Sequence, residues 1–113
     1  MKYVFTILHN DECNFWQMLK KNIDEYAQEE RLDYMIEEVL IHNDEEAKKW
    51  KFAGSPQLLI NGNDVDPNAF KITNYHASGC RPVMVDGVFY EYVPLELVKE
   101  AIKQSIESGT KTV

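Results

Sequence analysis

The sequence predicts a single α/β domain, on three observations. An apolar, β-rich run from Tyr3 to Leu8 gives way at once to a helical period. A second apolar run, Leu58-Leu59-Ile60, is led by Pro56 and closed by Asn61-Gly62. A further turn signal, Asp86-Gly87, precedes a final amphipathic stretch that begins near Pro94. Strand, helix, strand, helix, strand followed by hairpins is the pattern of a mixed sheet with helices packed against it.

The elements follow in order. Tyr3 to Leu8 is rich in β-branched and aromatic residues and suits a central strand. His9-Asn10-Asp11-Glu12 breaks it, and Cys13 follows. From Asn14 the period changes: Phe15, Trp16, Leu19, Ile23, Tyr26 and Ala27 share one face, with Lys20, Lys21, Asp24 and Glu25 opposite. That helix is expected to run to about Glu29, with Asp11 and Glu12 in its entry turn, where carboxylates favour the dipole. Tyr34 to Ile41 reads as a second strand, mostly apolar but carrying Glu37-Glu38, which read as solvated. A strand–helix–strand unit crosses over right-handed, which makes the first two strands parallel neighbours. Asn43 or Asp44 caps a short helix through Phe52, and Gly54 is expected to stop it, since glycine enters the left-handed region cheaply.

Pro56 stands where a sheet tolerates proline, at the first position of a strand. Leu58 to Ile60 lacks polar alternation and fits a strand covered on both faces. Asn61-Gly62 accepts positive φ at both positions and predicts a tight hairpin. The stretch from Pro67 to Gly79 shows no period, and a loop of that length in a small domain is more often functional than idle. Pro82 to Val85 and Val88 to Tyr92 flank the second turn. Pro94 suits the first position of the last helix, which buries Leu97, Val98, Ala101, Ile102 and Ile106 and should end at Gly109. The domain is therefore expected over residues 1–109, with 110–113 a frayed tail.

Composition narrows the function. The hydrophobic share of 44% is that of a globular chain, and no apolar run approaches the roughly 20 residues of a membrane span. A net charge of −7 argues against a nucleic-acid partner, which requires clustered Lys and Arg. The start of the chain is too short and too strand-like for a signal peptide, so the expected compartment is the cytoplasm. Two cysteines, Cys13 and Cys80, form neither a disulfide framework nor a zinc pattern, and in a reducing compartment they are expected as free thiols, redox groups or core filler.

The segment Lys51-Phe52-Ala53-Gly54-Ser55-Pro56, with the Asn61-Gly62 turn and the order of elements, resembles the thioredoxin-like superfamily. The nearest likeness is to small bacterial thioredoxin- or glutaredoxin-like proteins with Gly-Ser-Pro, a turn, a long loop and a Cys-Arg pair, here Cys80-Arg81. The resemblance implies a thioredoxin-like fold, a βαβ-α-ββ core with a long loop and a second hairpin before the C-terminal helix. It implies a cis Ser55-Pro56 bond beside the start of the first helix, where the family keeps its reactive cysteine. Arg81-Pro82-Val83-Met84-Val85-Asp86-Gly87 offers a competing proline-led strand; Pro56 is preferred because it follows the helix directly through a glycine. Two departures matter. Trp16 stands where the C-x-x-C motif has its second cysteine, so turnover within the motif is excluded, and the loop from Asp66 to Gly79 has no counterpart in ordinary thioredoxins.

On this reading Cys13 carries thiol chemistry. A helix start lowers a thiol's pKa from about 8.5, while Asp11 and Glu12 oppose that. Cys80 is a distal resolving thiol, expected on the same rim of the sheet but not in a closed bond. Arg81 supplies positive charge against Asp11 and Glu12, and Phe70 and Tyr75 cover the thiols. Trp16, Ser55, Pro56 and Arg81 are the expected substrate-binding residues. The partner is a small thiol or a protein disulfide, and no cofactor is required. The plainer alternatives are a non-catalytic adaptor that keeps the groove beside Pro56, or capture of a soft metal by the two thiols, for which no local ligand spacing exists. His9, His42 and His76 read as loop residues, and Trp16 as core.

Overall fold

A computed structural model of the chain describes residues 2–111. Among them, three α-helices pack with a four-stranded sheet and a separate two-stranded hairpin. Strand β1 (Tyr3–His9) leads to helix α1 (Trp16–Glu29) and strand β2 (Tyr34–Leu40). Helix α2 (Asp44–Trp50) leads to β3 (Gln57–Ile60) and β4 (Asn63–Asp64). A short 3-10 turn at Ala69–Lys71 interrupts the long loop before β5 (Val83–Val85), β6 (Val88–Tyr90) and α3 (Leu95–Lys111).

The sheet runs β2-β1-β3-β4. β1 and β2 are parallel, in register from Tyr3↔Tyr34 to His9↔Leu40. β3 lies antiparallel on the other side of β1, with Leu8 opposite Gln57 and Phe5 opposite Ile60. The C-terminal end of β1 therefore meets the beginning of β3, which brings the break after His9 beside the Ser55-Pro56 entry. That peptide bond is cis.

Period-two alternation along β1 divides the core. Tyr3, Phe5 and Ile7 pack with Leu19 and Ile23 of α1, Leu58 and Ile60 of β3, and Val98 and Ile102 of α3. Leu8 faces the other way, onto Ala47, Phe52 and Ile41. So α1 and α3 cover one face and α2 the other, which is why β1 and Leu58–Ile60 read as continuous apolar runs.

Two helix ends differ from the sequence expectation. Asn43 caps α2 as anticipated, its side chain accepting from the Glu46 N–H at 2.9 Å. The helix ends at Trp50, and Lys51 (φ 56°), not Gly54, takes the left-handed cap position. α3 continues through Gly109 to Lys111, so of the expected tail only residues 112–113 remain, outside the described residues. The turns at Asn61-Gly62 and Asp86-Gly87 both have positive φ at their two central residues, as a tight hairpin demands. The second hairpin pairs only with itself, and all three residues of β6 are exposed.

Candidate functional site

Where β1 ends, the chain turns on the side chain of Asn10. Its Oδ1 accepts from the N–H groups of Glu12 (2.9 Å) and Cys13 (3.1 Å). Its Nδ2 donates to the carbonyls of Ala77 and Gly79, both at 2.8 Å. An asparagine amide has two donors and two lone pairs, and here all are used. One buried side chain thus fixes the segment before α1 and the end of the long loop together.

Ser55 is a second clasp. Its hydroxyl donates to the Cys13 carbonyl at 2.9 Å. Its backbone N–H donates to Gly79 O and its carbonyl accepts from the Arg81 N–H, each at 3.0 Å, so that Ser55 and Cys80 form a parallel bridge. Further bonds seat the same loop: Gly79 N–H to Glu12 Oε2 at 2.7 Å, Ala77 N–H to Asp44 Oδ1 at 2.9 Å, and His76 N–H to Phe52 O at 3.0 Å.

Cys13 and Cys80 meet within this frame and are joined in a disulfide, with Cα atoms 5.6 Å apart across a sequence separation of 67. The placement on one rim agrees with the sequence reading. The closed bond corrects the expectation of free thiols. The two ends differ in access: Cys13 is 4% exposed, while Cys80 is exposed.

Gly54 has a role that its sequence context did not suggest. Its φ is +131°, and a Cβ there would lie 2.9 Å from the Arg81 Cβ and 3.0 Å from both the Arg81 N and the Cys80 carbonyl carbon. The glycine is needed because the Cys80-Arg81 backbone passes directly over it.

The other expected site residues are distributed as follows. Ser55 and Pro56 are fully buried, so they position the cysteines and present no surface to a substrate. Arg81 is buried too, and points away from Asp11 and Glu12. Its guanidinium donates to Asp64 Oδ2 and Asp66 Oδ2, each at 3.0 Å, while its Nε has no partner among the described residues. Those carboxylates belong to β4 and the turn after it, so Arg81 ties the Cys80 segment to the sheet edge. Burial pushes the Asp64 carboxyl above its ordinary range, against the opposing pull of Arg81. Trp16 is half-buried and stacks on His9, centroids 4.3 Å apart. His9 is not a loop residue: it closes β1, is 5% exposed, and reaches Glu38 Oε1 through Nε2 at 2.8 Å. That contact gives one of the two β2 glutamates a partner. Phe70 is 80% exposed; it and Tyr75 line a groove with Trp50, Leu59 and Arg81, a groove that neither cysteine lines.

Sequence reasoning missed Asn10 as an organiser. An Asn-Asp-Glu run after a strand does signal a side-chain turn onto the following N–H groups. Its bonds to Ala77 and Gly79 leave no local trace. Among the described residues no group of three or more His, Cys, Asp or Glu side chains is arranged to hold a metal, and no helix is long and apolar enough to cross a membrane. Neither the protein-family models nor the curated proteins contain a match to this chain.

Proposed function

We propose that the protein is a thioredoxin-like domain that carries out thiol–disulfide exchange through the Cys13–Cys80 pair. The observation that carries this reading is the frame around the pair. Asn10 and Ser55 hold the two cysteine segments together through hydrogen bonds in which no sulfur takes part. A pair built this way keeps its thiols adjacent when the bond opens, so closure is an intramolecular step at high effective concentration. The parallel β1–β2 pair, the antiparallel β3–β4 hairpin beside β1 and the cysteine just ahead of α1 support the thioredoxin-like assignment.

The reaction moves two electrons between sulfur pairs and needs no cofactor. A partner dithiol passes through a mixed disulfide and becomes a disulfide, and the protein becomes a dithiol; the reverse reaction reduces a partner disulfide. In a reducing cytoplasm, where we place the protein, the dithiol is the resting form and the disulfide forms in turnover. The test is equilibration of the folded chain against mixtures of reduced and oxidised dithiothreitol, with free thiols counted by alkylation and mass. The expected result is one reversible two-electron transition in native buffer. Reduction that occurs only in denaturant would reject exchange.

The exposed side chains of Val88, Phe89 and Tyr90 on β6 favour a second reading, a binding module whose disulfide is a staple. That module would bind its partner equally well after both cysteines are replaced by serine.

A further inference from the structure

Given exchange at this disulfide, the geometry points to Cys80, and not the helix-start Cys13, as the sulfur that bonds to the partner.

Cys13 is 4% exposed and is held on both sides, its N–H by Asn10 Oδ1 and its carbonyl by the Ser55 hydroxyl. Cys80 is exposed and follows Gly79, at the outer end of the loop. Thiol–disulfide exchange requires the attacking sulfur to approach along the line of the bond that breaks. An attack on Cys13 would need space within packed structure, whereas an attack on Cys80 comes from solvent.

The leaving group agrees with this direction. When a partner thiolate attacks the Cys80 sulfur, a partner–Cys80 bond forms and the Cys80–Cys13 bond breaks. The electron pair leaves on Cys13. That sulfur belongs to the segment entering the 14-residue α1, whose positive dipole end favours an anion, although the Gln17 and Leu19 N–H groups of its first turn already donate to the Asn14 and Phe15 carbonyls. The Phe15 cap position provides no side-chain acceptor to compete for those groups. The Glu12 carboxylate precedes Cys13 in the chain and is bound to the Gly79 N–H, so it opposes a thiolate at either cysteine, and the Arg81 guanidinium beside Cys80 in sequence is occupied by Asp64 and Asp66. With Glu12 beside both segments, the helix entry is what distinguishes the two and makes Cys13 the better leaving sulfur.

The second step completes the balance. A second thiolate on the partner attacks its own sulfur in the mixed disulfide. Cys80 departs and takes a proton, the partner is left as a disulfide, and the protein as a dithiol. The substrate class is thus a dithiol, and in reverse a disulfide first captured by Cys80 and released by Cys13. Cys13 is the resolving residue, and Asn10 and Ser55 are positioning residues.

The test uses three forms of the full chain: wild type, Cys13→Ser and Cys80→Ser. Each single variant, folded by circular dichroism, is mixed with the neutral disulfide 4,4′-dithiodipyridine, and release of thiopyridone is followed. Cys13→Ser should react at least about tenfold faster than Cys80→Ser, because thiol reactivity follows access as well as ionisation. Equal rates, or a faster Cys80→Ser, would overturn the assignment. Wild type provides a measurement that does not depend on the variants folding. Brief treatment with 2-mercaptoethanol, acid quench and peptide mass mapping should place the mixed disulfide on Cys80. Its appearance on Cys13 would overturn the assignment while leaving exchange intact. A wild-type disulfide that resists 2-mercaptoethanol and dithiothreitol until denaturant is added would instead reject exchange itself.

Discussion

The two halves of the molecule are held together by different physics. From Tyr3 to Asp64, order comes from apolar side chains repeating with the period of their element, buried on both faces of a regular sheet. From Val65 to Val93 there are only two three-residue strands, which pair with each other. Val65, Val83 and Val93 of that second region are buried in the cluster shared with β1, α1 and α3, while its long loop is fastened by the side chains of Asn10, Glu12, Asp44 and Asp64, by the Ser55 backbone and by one disulfide. Apolar burial is tolerant and additive; a polar clasp is specific and fails when one partner is lost. The candidate site lies where the two regimes meet, with one cysteine in each.

The largest expected effect is on the covalent link. Reducing the bond, or replacing both cysteines by serine, should lower global stability by about 4 kcal/mol in the chain-entropy account of a loop this long. Urea unfolding of oxidised and reduced protein measures the difference. Because that account places the effect in the unfolded chain, the reduced protein should keep its native near-ultraviolet circular dichroism.

The first region should behave otherwise. Leu58→Ala removes a fully buried β3 side chain from the cluster shared with β1, α1 and α3, at a cost of about 3 kcal/mol. The same loss should be found in oxidised and reduced protein. Leu58 shares its cluster with Val65, Val83 and Val93, so a loss that changes with redox state would mean that opening the disulfide reaches the packed core.

Gly54→Ala probes the seam. The new Cβ would press on the Cys80-Arg81 backbone at 2.9–3.0 Å, from a φ that alanine rarely adopts. A cost of about 2 kcal/mol is expected. The variant should also close its disulfide more slowly than wild type after reductant is removed, as followed by alkylation. Unchanged closure would separate the glycine from the site.

A smaller effect concerns acid. The Asp64 carboxyl titrates above its usual 3.8 in the folded protein, chiefly through burial. Its raised pKa means that the folded state holds the proton more tightly than the unfolded state. The stability it contributes is full below 3.8 and is lost as pH rises through the raised value. Asp64→Asn removes that slope. Relative to wild type, the variant should gain stability as pH is raised from below 3.8 through the raised value, in parallel denaturant titrations.

The same division decided what could be read from the sequence. Helix α1 and strand β1 were legible because periodicity is a local property: Leu19, Ile23 and Ala27 return every turn, and Phe5 and Ile7 alternate. Asn61-Gly62 and Asp86-Gly87 were legible because positive φ is a property of the residues themselves. The shared rim of Cys13 and Cys80 followed from strand directions. The clasp at Asn10 did not, because nothing within several residues distinguishes it from any polar residue that ends a strand. The same holds for Arg81, whose partners are 15 and 17 residues away. Gly54 was noticed for the wrong reason: the αL position fell to Lys51, three residues earlier, and the glycine answers to a neighbour distant in sequence. His9 was misplaced because the strand ran one residue further than its apolar run, which turned a loop histidine into a buried one.

The account's central claim is that hydrogen bonds, and not the sulfur–sulfur bond, hold Cys13 beside Cys80. Residue-resolved amide exchange of the reduced protein, compared with the oxidised, tests it most directly. The informative amides are those of Cys13, Ser55, Ala77, Gly79 and Arg81, all of which donate in the frame. The account predicts that they remain protected after reduction, with protection lowered only by the fall in global stability. Exchange at the rate of an open loop at Ala77, Gly79 and Arg81, while the β1 amides stay protected, would contradict it and make the disulfide a staple.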